Sequence, residues 1–265
     1  MNSEFADSSG GAGRIHPKES AQRRERLIAE AWNARRSGWD FSALEGRVRG
    51  TEPPWDYRAR ASRLARAAGR LLDVDTGGGE VLAALAPLPA DTHAVESWPP
   101  NVAAARERLG PLGVTVHESL GGCAAGDFDV VLNRHGRLEA EALAPLLADG
   151  GVLLTQQVGS GNHLELNEAL GAPPPGRIDA WTLDVATGRL ESAGLRIVDA
   201  REALLPFRFL DIGAVVYQLR AVPWQVGDFD PDRYADRLRL LDERILAEGG
   251  FTAHDHRFLI EAVKS

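Results

Sequence analysis

The stretch "LLDVDTGGGE", Leu71 to Glu80, decides the fold. Apolar residues run up to Asp73, a second acid follows at Asp75, and then come Thr76, three glycines and Glu80. A hydrophobic run that empties into acids and glycines reads as a buried strand ending in a ligand-binding turn. Glycines let the backbone approach a ligand and take positive φ, and the helix start beyond them offers free N–H groups. A dinucleotide turn needs G-x-G-x-x-G. Counted from Gly77, Gly79 fits, but Leu82 stands where the last glycine belongs, which disfavours a nicotinamide oxidoreductase. A phosphate loop needs Gly-Lys-Ser/Thr after the glycines. Glu80 suits the positive end of a helix dipole but repels a polyphosphate. An acid before the glycines and another after them suit a cationic ligand instead.

Outward from this stretch, short apolar strands alternate with helices, as in a parallel sheet built from βαβ units. The strands expected are "RLLDVD", "THAVE", "VTVHE", "DVVLNR", "GVLLTQQV" and "LRIVDA", with a terminal strand in "HRFLIEAVKS". "PPNVAAARERLG" reads as a helix capped by Ser97 and stopped at Gly110. "DIGAVVYQLRAVPW" has a strand-like composition, yet Ile212, Val215, Val216 and Leu219 share one helical face and Asp211 suits a cap, so a helix is expected. A second helix follows from the Asp230–Pro231 start, with Tyr234, Leu238, Leu241 and Ile245 on one stripe. Residues 37–57 read as loop-rich, with the triplets Trp39-Asp40-Phe41 and Trp55-Asp56-Tyr57. The organisation expected is a disordered arm over 1–19, a helical cap over 20–70 and a Rossmann-like core over 71–210. A helical insertion over 211–250 and a terminal strand over 251–265 complete it.

Here the pattern resembles the class I S-adenosylmethionine-dependent methyltransferases. Their first motif is a strand ending in acid-x-Gly-x-Gly-x-Gly. Asp73 takes the acidic position, and Gly77 and Gly79 take the second and third glycine positions. The departure is Asp75 in the first glycine slot. Asp tolerates left-handed backbone geometry better than most residues. Its carboxylate reads either as a turn stabiliser or as a second charge near the cofactor ammonium. The family also carries an acid at the end of the second strand to hold the ribose hydroxyls. Glu96 ends "THAVE" at the right distance, and Ser97 and Trp98 follow where a side chain could cover adenine.

The resemblance implies an α/β fold with a Rossmann-like seven-stranded sheet, helices on both faces, and S-adenosylmethionine as cofactor. Asp73, Asp75, Thr76, Gly77, Gly79, Glu80, Glu96, Ser97, Trp98 and Asn133 are the expected cofactor contacts. Trp55 and Tyr57 join them, because an aromatic face attracts a sulfonium or ammonium.

Ligands of open α/β sheets lie beyond the carboxyl ends of the strands, where strand order reverses. That places Asn133, Arg134 and His135 at the cleft, with Gln156 and Gln157 beside them. Methyl transfer from a sulfonium is an in-line displacement in which alignment and exclusion of water supply most of the acceleration. His135 is the candidate base where the acceptor must lose a proton. Arg134 reads either as a holder of an acidic substrate group or as a partner in an internal salt bridge. Gln156 and Gln157 read as polar anchors, of which only one can face the cleft. The insertion's helices are expected to roof the acceptor pocket, with Tyr217 and Trp224 in its wall.

The net charge of −8 argues against a nucleic-acid partner and leaves a small-molecule acceptor as the first expectation. RNA or protein methylation, and a non-methylating cofactor-binding scaffold, stay open as alternatives. The single cysteine, Cys123, allows no internal disulfide. "HDH" at 254–256 reads as surface residues, and no metal is expected. No apolar run reaches membrane-spanning length, so a cytoplasmic protein is expected.

Overall fold

The structure is a computed structural model and describes residues 17–35, 41–176 and 180–265. Most of the expected arm, and Trp39 and Asp40 of the first aromatic triplet, lie outside the described residues.

In chain order, α1 (Pro17–Asn33) leads to the short strand β1 (Val48–Gly50) and to α2 (Tyr57–Ala67). The core then alternates through β2 (Arg70–Val74), α3 (Glu80–Ala83), β3 (Asp91–Val95), α4 (Pro99–Leu109), β4 (Thr115–His117) and β5 (Phe128–Arg134). It continues with α5 (Ala140–Leu143), β6 (Leu147–Val158), α6 (Leu164–Leu170), α7 (Leu183–Ser192) and β7 (Leu195–Phe209). Two helices, α8 (Ile212–Ala221) and α9 (Ala235–Glu248), precede the last strand, β8 (Phe251–Lys264).

One eight-stranded sheet runs β1-β7-β8-β6-β5-β2-β3-β4. Strands β2 to β6 pair in parallel with one another, and β8 enters antiparallel between β6 and β7. The chain leaves β2 in one direction, through β3 and β4, and returns to its other side at β5. That reversal puts the switch point between β2 and β5. The eighth strand is β1, inside the stretch expected to be loop. Three residues with one hydrophobic member carry almost no period-two signal, and pairing of Val48 to Gly50 with the end of β7 creates the strand.

Strand alternation sorts the core into two faces. Leu71, Val130, Leu132, Leu154 and Leu259 pack under α2, α3 and α4. Leu72, Val74, Val131, Leu153 and Ile260 pack under α5 and α7. A third core stands beyond the strand ends. The distal parts of β7 and β8 run past the rest of the sheet, paired from Ala203↔Arg257 to Phe209↔Phe251. Buried residues of α1, α6, α8 and α9 close on them, including Phe209, Phe251, Tyr217 and Ile245. Arg23 of α1 reaches Asp242 of α9 at 3.0 Å across this lobe. The helix expected from Asp211 is present, and Asp211 caps it by accepting the Ala214 N–H at 2.9 Å. Helix α9 begins at Ala235 rather than at Pro231, because Asp230 instead accepts the N–H groups of Asp232 and Arg233 in a turn.

No helix among the described residues is long and apolar enough to cross a membrane.

Candidate functional site

The turn after β2 is built around two carboxylates used in different ways. Asp73 is buried at the strand end, where the Thr76 hydroxyl donates to its Oδ2 at 2.6 Å. Burial, and then repulsion from Asp75, outweigh that bond and push the Asp73 carboxyl up to about 7. A half-neutral acid at the end of a buried strand gains from any cation that settles beside it.

Asp75 takes a left-handed φ of 57°, as expected of an Asp in a glycine slot. Its Oδ2 accepts the backbone N–H of Arg137 at 2.7 Å. The carboxylate therefore ties the turn to the loop after β5. Gly136 makes this approach possible, since a Cβ there would lie 2.5 Å from the Asp75 side chain.

The glycines divide the work. Gly77 has φ 62° and open space where a Cβ would stand, which is the surface a ligand needs. Gly79 has φ 80°, and a Cβ there would meet Leu109 at 2.7 Å, so this glycine lets α4 pack against the turn. Glu80 pairs with Arg108 at 2.6 Å on the exposed side, and Arg108 also donates to the Gly78 carbonyl.

Glu96 lies beside the turn, buried. Its Oε2 accepts the Gly77 N–H at 2.9 Å and the Asn101 amide at 3.3 Å, and its Oε1 accepts the Trp98 N–H at 2.8 Å. An ionised carboxylate offers about four acceptor positions, so one remains for a hydroxyl. Ser97 does not cap α4. Trp98 holds the cap position, and the Glu96 carboxylate satisfies its free N–H from outside the helix. Trp98 is 45 % exposed beside Glu96.

Beyond β5 and β6, alternation decides which residues meet. Asn133, Thr155 and Gln157 form a closed buried network in which the Asn133 oxygen accepts from Thr155 at 3.1 Å and from Gln157 at 2.6 Å. Asn133 also donates to the Val74 carbonyl at 3.2 Å, tying β5 to β2 at the switch point. Gln156 faces the other way. Its oxygen accepts the Trp55 indole N–H at 2.8 Å, and its amide nitrogen lies 3.0 Å from His135 Nε2. Because indole only donates, the Gln156 amide is oriented with its NH2 toward His135. His135 Nε2 must then accept, which makes the ring neutral with its proton on Nδ1. Burial, Arg134 and Arg257 lower the His135 pKa in the same sense. As a whole residue His135 is exposed, so solvent reaches it as well. To take a proton at Nε2 the ring must first release Gln156.

Tyr57 opens α2 with its side chain buried, and Arg134 lies 6.0 Å from its ring centroid. The insertion's candidates do not line this cleft. Tyr217 is 1 % exposed inside the third core, and Trp224 is 58 % exposed on the α8–α9 connection. Tyr217 sits on the inward stripe of a helix packed on both sides, which explains its burial.

The "HDH" segment is at the surface only in part: His256 is buried, whereas His254 keeps 40 % of its side chain exposed. His254 pairs with Glu165 at 2.6 Å, His256 with Glu202 at 2.8 Å, and Asp255 lies 2.8 Å from the buried His163. Arg257 pairs with Asp255 at 2.9 Å. No group of three or more metal-ligating side chains occurs among the described residues. Sequence reasoning placed Asp255 at the surface and missed Arg257 and His163, because only the extension of β8 past the sheet brings Asp255 and Arg257 up to His163. One surface hollow runs along α2 at Arg63, and another lies between α5 and α7 and starts at Arg137, next to the tie to Asp75.

No protein-family model matches the chain, and no curated protein matches it in sequence. Solved structures do match in shape. A functionally unknown protein from Deinococcus radiodurans R1 superposes with a TM-score of 0.58 at 16 % identity, over 92 % of this chain and 100 % of that one. A candidate methyltransferase from Bacillus halodurans C-125 gives 0.55 at 16 % identity, over 78 % and 98 %. A protein from echinomycin biosynthesis, studied for conversion of a disulfide bond into a thioacetal group, gives 0.53 at 16 % identity, over 93 % and 90 %. With the sheet order and the switch-point turn described above, the chain has the fold of the class I methyltransferases.

Proposed function

We propose that the protein is an S-adenosylmethionine-dependent methyltransferase acting on a small-molecule acceptor. The observation that carries this reading is two buried carboxylates at one glycine turn, Asp73 held by Thr76 and Glu96 by the Gly77 N–H, with open space at Gly77. The donor set fits the cofactor. Asp73, poised near neutrality, gains a partner in the methionine ammonium. Glu96 keeps an acceptor position for a ribose hydroxyl, with Ser97 and Trp98 beside it for adenine. Trp55 and Tyr57 cover the methionine end, and Thr76, Asp75 and Asn133 hold the turn and strand end in place. When bound, the cofactor supplies a methyl group on a sulfonium, which leaves without protonation.

The chain's own contribution is then to position and to exclude water. Gln156, fixed by Trp55, holds His135 neutral with Nδ1–H outward, so the ring can donate a hydrogen bond to an acceptor. As a base, His135 works only after Gln156 lets go of Nε2. The acidic surface and the neighbour from echinomycin biosynthesis support a small molecule over a nucleic acid as acceptor. Isothermal titration with S-adenosylmethionine and S-adenosylhomocysteine tests the reading. Binding of both is expected, and a folded protein that binds neither overturns it.

A further inference from the structure

Asp73, Arg134 and Gln156 lie on one face of the sheet. They follow Leu71, Leu132 and Leu154 at the strand period of two, and those leucines share one core with Tyr57, Ala61 and Ala65 of α2. Two hydrogen-bond donors on this face have no acceptor among the described residues. The Tyr57 hydroxyl is buried without a protein partner. The Arg134 guanidinium, half-buried 6.0 Å from the same ring, makes no ion pair among the described residues. Four other half-buried arginines each have a carboxylate. Arg23 pairs with Asp242, Arg47 with Asp211, Arg60 with Asp199, and Arg257 with Asp255. Burial disfavours the Arg134 charge most; Tyr57 favours it, Arg58 and Arg257 repel it, and Glu52 adds the smallest favourable pull. Desolvating a guanidinium among like charges is unfavourable unless an anion arrives. A buried hydroxyl with no partner adds to the same deficit.

We infer that Arg134 and the Tyr57 hydroxyl form a receptor for a small-molecule carboxylate. Guanidinium forks bind carboxylates through two parallel hydrogen bonds, and a phenol hydroxyl donates a third. The inference rests on the methyltransferase reading for its two sources of carboxylate. One is the amino-acid end of the cofactor, which would set Asp73 against the ammonium and Arg134 against the carboxylate of one zwitterion. The other is an acidic acceptor.

The test compares the wild type with Arg134→Gln, Arg134→Lys and Tyr57→Phe by titration with three probes. These are S-adenosylhomocysteine, its decarboxylated analogue, and benzoate added to the S-adenosylhomocysteine complex with benzamide as neutral control. If the cofactor supplies the carboxylate, Arg134→Gln weakens S-adenosylhomocysteine by about ten- to hundred-fold and leaves the decarboxylated analogue unchanged. If the acceptor supplies it, S-adenosylhomocysteine binding is unchanged, and benzoate binding, preferred over benzamide in the wild type, is lost in Arg134→Gln. Arg134→Lys falls between, since it keeps the charge and loses the fork. Tyr57→Phe raises the melting temperature of the free protein while weakening the same probe, a combination that a packing role does not produce. Equal affinity of the wild type and Arg134→Gln for every probe overturns the inference. Wild type that fails to bind S-adenosylhomocysteine at all instead overturns the methyltransferase reading. The Arg134 side chain makes no hydrogen bond among the described residues, so its variants are expected to fold.

Discussion

The lobe beyond the sheet and the turn at the end of β2 lie on the same side of the molecule and are held by opposite means. The lobe is an apolar core. Phe209, Phe251, Tyr217, Val215, Val216 and Ile245 are buried there, tied at the rim by pairs such as Arg23–Asp242 and Arg47–Asp211. The turn region is polar and conformationally unusual. Asp75 and His135 both take left-handed φ, Asp73 is buried next to another acid, and most bonds run from side chain to backbone. The first region gains stability from area removed from water, and the second holds groups in conformations that cost stability. The difference separates stability from binding, and single substitutions can probe each side.

The largest effect is expected from the lobe. Phe251→Ala deletes a ring that is 1 % exposed and should lower unfolding free energy by about 4 kcal/mol. The shift in the urea midpoint measures this, and S-adenosylhomocysteine affinity of the folded protein should stay the same. A loss of affinity would show that the lobe shapes the cofactor site. Next is Gly79→Ala. It places a Cβ 2.7 Å from Leu109 at a φ of 80°, and strain plus overpacking should cost about 2–3 kcal/mol. Here affinity should fall together with stability, because the turn and α4 must move apart.

The third effect is in pH. The Asp73 carboxyl must be ionised to meet an ammonium, and its pKa in the free protein is about 7. Affinity for S-adenosylhomocysteine should therefore be full above that pH and fall toward about tenfold per unit below it. In the free protein the sign is opposite. A carboxyl raised above its unfolded value of 3.8 contributes stability that is present below 3.8 and lost as pH rises through about 7. Asp73→Asn should weaken binding and flatten both profiles, and a variant whose affinity still falls with pH assigns the titration elsewhere. The smallest effect belongs to Asp75→Gly. Relief of the left-handed strain offsets the lost bond to the Arg137 N–H, so stability should change by less than about 1 kcal/mol. Affinity should hold, and a drop would place the Asp75 carboxylate on the ligand rather than on the loop.

Much of this was legible from residue types. The strand before the glycines, the acid at Glu96 and the helix hidden in a strand-like composition after Asp211 all rest on local periodicity and turn chemistry. The left-handed residue at Asp75 was readable too, because few residues other than glycine accept that geometry. Less legible were features set by what lies across the fold. Tyr217 has the same inward helical stripe whether it faces a ligand or a core, and only α1 and the distal strands decide for the core. The histidines of "HDH" look exposed until β8 extends far enough to pair Asp255 with Leu205 of β7.

By itself the sequence determined the glycine-turn half of the sheet: a strand, a turn with two positive-φ glycines, and an acid one βαβ step later. Those are short-range features, and the backbone geometry they demand is nearly independent of the rest of the chain. The tertiary structure alone decided how the charges are used. It bound Asp75 to a loop 62 residues away, spent one of Glu96's acceptor positions on the turn and two on the start of α4, fixed the proton of His135 through Trp55 and Gln156, and left Arg134 without an anion among the described residues. A side chain's charge is written in the sequence. Its partner and its hydration depend on residues brought near only by folding.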